Sequence, residues 1–209
     1  MAKVLLINGS PNANGCTYTA LNEMIQIFRY EGIETELIQI GNKPIRGCIA
    51  CNYCRQHGKC VFDDDLVNEV AKKFETADGL VIGSPVYFAS PNGTVISFLD
   101  RLMYSTTFSK HMKVGAAIVN CRRGGNTASF DVLNKYFTIS GMPVASSTYW
   151  NMTYGFTPYD VQKDLEGIQT IRNLAKNMAF MIGAFIDAKE NYGLPEIETS
   201  AFTSFPDGK

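Results

Sequence analysis

The segment Lys3-Val4-Leu5-Leu6-Ile7-Asn8 is apolar and branched at every position from Val4 to Ile7, not at alternate ones. Continuous hydrophobicity over the length of a strand means that both its faces are covered, as happens inside a parallel sheet. Such a strand needs parallel neighbours. Glu34 to Ile40, Gly79 to Gly83, Val114 to Val119 and Val144 to Tyr149 read as four more strands. Helical spacing separates them: Leu21, Met24, Ile25, Ile27 and Phe28; Leu66, Val67, Val70 and Phe74; Val95, Ile96, Phe98, Leu99 and Leu102; then Phe130 to Ile139. A last, long helical segment from about Asp160 to Asp187 puts Leu165, Ile168, Ile171, Leu174, Ala175, Met178 and Ile182 on one face. Strands and helices alternating through short connections specify an α/β fold, a doubly wound five-stranded parallel sheet of order 2-1-3-4-5 with helices on both faces. That domain is expected to span residues 1–188, with an irregular tail over 189–209.

In such a sheet ligands sit outside the carboxyl ends of the strands, and three loops there are unusual. The first, Gly9-Ser10-Pro11-Asn12-Ala13-Asn14-Gly15-Cys16-Thr17, joins a strand to the amino end of a helix. Its small and hydroxylated residues leave backbone N–H groups free for an anion, and the helix dipole adds to them. It has neither the lysine ending of a nucleoside-triphosphate loop nor the glycine spacing of a dinucleotide loop, which leaves a monoester phosphate as the best ligand. A helix start capped by Ser10, Asn14 or Thr17 with no ligand is the plain alternative. The second loop, Ser84-Pro85-Val86-Tyr87-Phe88-Ala89-Ser90-Pro91-Asn92-Gly93, has stiffening prolines and two flat side chains, Tyr87 and Phe88, suited to a planar heterocycle or to ordinary packing. In the third, Asn120-Cys121-Arg122-Arg123-Gly124-Gly125-Asn126-Thr127, the glycines allow close backbone approach. Its arginines offer charge to a carbonyl or phosphate, or simply to solvent. FMN is the ligand expected at the switch point of a sheet of this order.

The one long connection holds Cys48-Ile49-Ala50-Cys51-Asn52-Tyr53-Cys54-Arg55-Gln56-His57-Gly58-Lys59-Cys60, four of the six cysteines of the chain. Sulfurs spaced C-x2-C-x2-C can converge on one centre, and a fourth after five more residues closes the cage, which suits one iron–sulfur cluster. A four-thiolate zinc site, whose ligands usually come as two separated pairs, and a loop of free or redox-active thiols are the alternatives. Cys16 and Cys121 read as packing residues inside the ligand loops, although a thiol at a helix start is reactive when its pKa is lowered. Asp63-Asp64-Asp65 reads as a helix N-cap with dipole-complementing charge, not as a metal site. His57 and His111, the only histidines, read as surface residues. A net charge of −1 on 209 residues, with the charges dispersed, gives no invitation to nucleic acid or to an anionic membrane. With no long apolar run and no leader-like start, a cytoplasmic protein is expected.

Taken together, Gly9-Ser10-Pro11 with Asn14 and Thr17, the run at Cys48, Cys51, Cys54 and Cys60, Ser84 to Phe88 followed by Asp100-Arg101, and Arg122-Arg123-Gly124-Gly125 resemble the flavodoxin-like NAD(P)H-dependent FMN reductases, and within them the iron–sulfur flavoproteins. The resemblance runs to about residue 187. It implies that Ser10, Asn12, Asn14, Gly15, Cys16 and Thr17 hold the FMN phosphate and that Pro85, Val86, Tyr87 and Phe88 line the isoalloxazine. Asn120, Arg122, Arg123, Gly124 and Gly125 then cover its other edge, and the four clustered cysteines hold a [4Fe-4S] group. It further implies a homodimer or tetramer that takes hydride from NAD(P)H onto FMN, and passes electrons to the cluster or to a small acceptor. A carrier or sensor serving a redox protein, without small-substrate turnover, is the competing expectation; the near-neutral charge balance argues against it.

Overall fold

The computed structural model describes residues 1–198 and 201. Strand β1, Lys3–Asn8, lies one strand in from the edge of the sheet, with β2, Glu34–Gln39, on its outer side and β3, Gly79–Tyr87, on its inner side. The order continues through β5, Val114–Cys121, to β6, Met152–Tyr154, and the tiny β4, Ser90–Pro91, folds back on β3 as an antiparallel hairpin. All the other pairings are parallel. Counting the parallel strands alone, the order is the expected 2-1-3-4-5.

Side-chain alternation along β1 divides the interior in two. Leu5 and Ile7 face a cluster under α3 (Val67–Glu75), α4 (Gly93–Ser105) and α5 (Asn126–Thr138), built on Phe74, Phe98 and Phe137. Val4 and Leu6 face Leu21, Met24, Phe28, Leu174 and Met178 from α1 (Cys16–Tyr30) and α7 (Leu165–Tyr192). Each large apolar side chain buried in either layer contributes about 1.5–3 kcal/mol, and a strand with both faces covered has no solvent side on which to place polar residues. The continuous apolar run is the direct consequence.

Two elements depart from expectation. The fifth strand is Met152–Tyr154, not Val144–Tyr149. Val144 touches the sheet only as an isolated bridge to Gly115, after which the chain lifts away and returns opposite Val119. Residues 146 and 147 instead bond to α7: Ser147 donates to the Thr170 carbonyl at 2.6 Å, and Asn177 donates to the Ser146 carbonyl at 2.9 Å. Polar Ser146-Ser147-Thr148 had better partners on the helix than on the sheet. The long terminal helix is also two helices, α6 (Pro158–Lys163) and α7. Asp164 separates them, accepting from the Gly167 N–H at 2.9 Å and the Tyr154 N–H at 2.7 Å, while Thr157 and Asp160 form a capping box on α6. Helix α7 runs to Tyr192, a turn past its expected end; part of the anticipated tail lies outside the described residues. Among the described residues no helix is long and apolar enough to cross a membrane.

Candidate functional site

The loop from Ser10 to Gly15 is held by its own short side chains. Ser10 N–H donates to Asn8 Oδ1 at 3.1 Å, Asn12 N–H to Ser10 Oγ at 3.2 Å, and Gln39 Nε2 to the Ser10 carbonyl at 2.6 Å. Helix α1 then starts at Cys16 with no side-chain cap on Gly15 and no acidic residue in its first turn. The plain reading, a start capped by Ser10, Asn14 or Thr17, is therefore not realised. Thr17 is buried, and its Oγ1 has no hydrogen-bond partner among the described residues. Gly83 on β3 admits this arrangement, because a Cβ there would stand 2.8 Å from the Thr17 methyl and from Leu21. The methyl is thus packed onto the sheet and the hydroxyl is left over. A buried hydroxyl and a helix start without a side-chain cap leave polar donors at this end of α1 that could meet an anion.

Beside it, β3 overruns its expected end at Gly83 and carries Pro85, Val86 and Tyr87 outward before turning at Phe88-Ala89. Both turn residues have positive φ, 50° and 59°, a conformation that costs most residues on the order of 1–3 kcal/mol. The turn survives because Asn92 N–H donates to buried Ser84 Oγ at 3.0 Å on its return, and because the third loop is pressed against its tip. Gly125, at φ 86°, lies so close that a Cβ would stand 2.6 Å from Ala89 Cα. Phe88 is left wholly exposed, and Tyr87 half so. Pro85 is paired with Asn120 in the β3–β5 register, Asn120 is fixed by Nδ2 bonds to Thr153 at 3.1 Å, and Arg122, Arg123 and Gly124 are exposed beyond it. The three expected loops thus meet at one end of the sheet. Asn126, part of the third loop but given no role in the sequence, is joined there to Tyr154 by a 2.6 Å hydrogen bond from Asn126 Nδ2 to the phenol oxygen. Tyr154 is the neighbour that sequence reading missed, since Trp150, Phe156 and Tyr159 around it are equally aromatic.

Cys16 ties the first loop to the last, donating weakly from Sγ to the Gly155 carbonyl at 3.7 Å. Burial pushes the thiols of both Cys16 and Cys121 up, so the reactive low-pKa alternative is not what the structure holds.

The cysteine loop packs against α4. Cys48, Cys51, Cys54 and Cys60 line one small pocket with Ile49, Val61, Phe62, Arg101 and Tyr104. Ala50 and Asn52 take positive φ, and a five-residue helix α2, Tyr53–His57, carries Cys54 inward. Among the described residues no three metal-binding side chains already stand at coordinating distance, so a metal here would draw the thiols together. The donor set, four thiols around an apolar pocket roofed by one N–H donor, is the chemistry an iron–sulfur group requires. Arg101 supplies that donor, its Nε–H reaching Cys60 Sγ at 3.2 Å. Buried beside Phe98, Leu99 and Leu102 on α4, Arg101 is the one charged member of an apolar face.

Asp63, Asp64 and Asp65 do not cap α3 as a group. Asp63 bonds Asn68 and Lys59, Asp64 bonds Arg46, and Asp65 takes the Val67 N–H at 3.1 Å and is otherwise committed to Arg101. His57 stays exposed and stacks on Tyr53 with centroids 3.9 Å apart. His111, expected at the surface, is half-buried with Nε2 enclosed.

Comparison with known proteins shows the family and the fold. Residues 2–157 match the family described as NADPH-dependent FMN reductase. An iron-sulfur flavoprotein of Methanocaldococcus jannaschii is 36% identical over 188 residues, covering 86% of this chain and 97% of the relative. One from Methanosarcina thermophila is 29% identical over 180 residues, covering 84% and 93%. Among solved structures, RosB with a bound intermediate superposes at TM-score 0.70 and 14% identity, over 99% of this chain and 93% of that one. An NADH:FMN oxidoreductase in its apo form superposes at 0.63 and 16% identity, over 86% and 89%. At these identities the structural likeness speaks for the fold.

Proposed function

Since the chain belongs to the NADPH-dependent FMN reductase family, in its iron–sulfur flavoprotein branch, we propose that this flavin-dependent oxidoreductase takes hydride from NAD(P)H and passes electrons to a [4Fe-4S] group or a small acceptor. The observation that carries the flavin site is the uncapped start of α1 with the partnerless Thr17 hydroxyl, lying between β1 and β3 where the strand order reverses.

When bound, FMN supplies hydride acceptance and onward electron transfer. The protein's share is positioning and charge. Backbone N–H groups of Cys16 and Thr17, with the hydroxyls of Ser10 and Thr17, bind the phosphate; Asn12, Asn14 and Gly15 shape the loop around it. Pro85 to Phe88 would form one wall for the ring, and exposed Phe88 at the hairpin tip would offer a flat face to nicotinamide. Asn120 to Gly125 close the other edge, with Arg122 and Arg123 offering cationic partners to the phosphates of the nucleotide. Cys48, Cys51, Cys54 and Cys60 would hold the iron–sulfur group, which supplies single-electron exchange. A homodimer or tetramer in the cytoplasm, exchanging electrons with a small acceptor or redox protein, completes this reading.

The test is iron and acid-labile sulfide per FMN in protein purified without oxygen, with visible spectra before and after NADH or NADPH. About four of each per flavin, as a [4Fe-4S] group demands, and bleaching by reduced nicotinamide support the proposal. Flavin without iron after reconstitution defeats the cluster half. Bleaching by dithionite but never by reduced nicotinamide defeats the hydride half and leaves a carrier.

A further inference from the structure

Every N–H of the Arg101 guanidinium is engaged, and every partner belongs to the two roots of the cysteine loop. Nε–H donates to Cys60 Sγ at 3.2 Å; Nη1 donates to the Arg46 carbonyl at 3.3 Å and to Asp65 Oδ2; Nη2 donates to the Phe62 carbonyl at 3.3 Å and to Asp65 Oδ1 at 3.1 Å. Arg46 precedes the first cysteine, while Cys60, Phe62 and Asp65 close and follow the last. One rigid fork standing on α4 therefore pins both ends of the loop, and only a planar five-donor group has the shape to do so. The side chains of Arg101 and Asp65 are 1% and 3% exposed, and the Phe62 ring covers the guanidinium carbon at 5.1 Å.

We infer that Arg101 is a positioning residue for the iron–sulfur site: it presets the span between Cys48 and Cys60, and its Nε–H bond to the Cys60 sulfur raises the reduction potential of whatever the four thiols hold. The inference rests on the cluster reading given above. Hydrogen bonds to cluster sulfurs favour the more reduced, more negative state, and the groups that orient metal ligands govern metal retention. Asp65 fixes the fork and cancels its charge, so the directional N–H···S bond, not a net charge, is what reaches the site.

Three variants separate this role from plain structural support. Arg101→Lys keeps a charge without the fork. Arg101→Gln combined with Asp65→Asn keeps a neutral hydrogen-bonding pair in the same volume and avoids stranding a buried carboxylate. Asp65→Asn alone keeps the Nε–H donor. Each is reconstituted without oxygen using ferrous iron and sulfide, and its iron content, reduction potential and rate of iron loss to a chelator are measured. Both Arg101 replacements should lose iron at least tenfold faster, and their one-electron reduction equilibrium should fall about tenfold, which is about 59 mV. Asp65→Asn alone should keep a potential at or above that of the wild type. If the wild type takes up iron and the Arg101 variants match it in potential and chelator rate, the inference is wrong and the cluster reading stands. If the wild type takes up no iron, both fall together.

Discussion

Replacing Thr17 by Val should stabilise the flavin-free protein while weakening its affinity for flavin. The Thr17 methyl is packed against Gly83, and valine keeps that methyl; what it removes is Oγ1, which is buried and has no partner among the described residues. Without ligand, the hydroxyl is a desolvated polar group that returns nothing, a state that costs about 1–3 kcal/mol. The variant without flavin should be more stable by about 1 kcal/mol, a rise in Tm of about 2–4 °C for a chain of this size. With FMN, the same hydroxyl becomes a donor to a phosphate oxygen, and a hydrogen bond to a charged group contributes about 1.5–3 kcal/mol. Its loss should weaken FMN about 10- to 150-fold. Quenching of flavin fluorescence gives Kd, and calorimetry of the flavin-free protein gives Tm. A Tm that falls together with an unchanged Kd would show that Thr17 is an ordinary core residue and that the phosphate binds elsewhere.

Gly125→Ala places a Cβ 2.6 Å from Ala89 Cα at a position of φ 86°, where left-handed geometry alone costs about 1–2 kcal/mol; Tm should fall and flavin should be lost on dialysis, and a variant that retains both would show the two loops to be independent. Phe88→Asn with Ala89→Gly supplies the residues that a turn with two positive φ angles prefers, so stability should rise by about 1 kcal/mol while KM for reduced nicotinamide increases; an unchanged KM would remove Phe88 from the nucleotide site. The Glu36 carboxyl, held below its ordinary value first by Lys73 at 2.7 Å and then by Lys3 at 3.1 Å, contributes stability that is present above its unfolded pKa and lost as pH falls through the lower folded one. Glu36→Gln should therefore cost stability at neutral pH and converge with the wild type in acid melts; a difference that persists at low pH would mean that packing, not charge, is involved.

The character of Val4 to Ile7 was enough to announce a buried parallel strand, because a chain covered on both faces has no place for a polar side chain. Helical spacing beside each strand gave the layers, and the handedness and order rules for crossovers then put the small-residue loops at one end of the sheet. The cysteine spacing is likewise local, so the residues able to share a metal were visible as a list. Contacts between segments distant in sequence were not. Val144 to Tyr149 stands where the alternation calls for a fifth strand, yet α7 competed for Ser146 and Ser147 and delayed the strand to Met152. The three aspartates looked like one cap and proved to be three separate partners, since what each meets lies up to 36 residues away. Arg101 was marked in the sequence only as half of the Asp100-Arg101 pair that follows the second loop, and its five bonds to the roots of the cysteine loop depend on α4 packing beneath that loop. Composition and periodicity are properties of neighbouring residues and settle which elements form. Which side chain is left without a partner, as Thr17 is, or gains five, as Arg101 does, is decided only when those elements are packed together, because a hydrogen bond depends on distances that no spacing along the chain encodes.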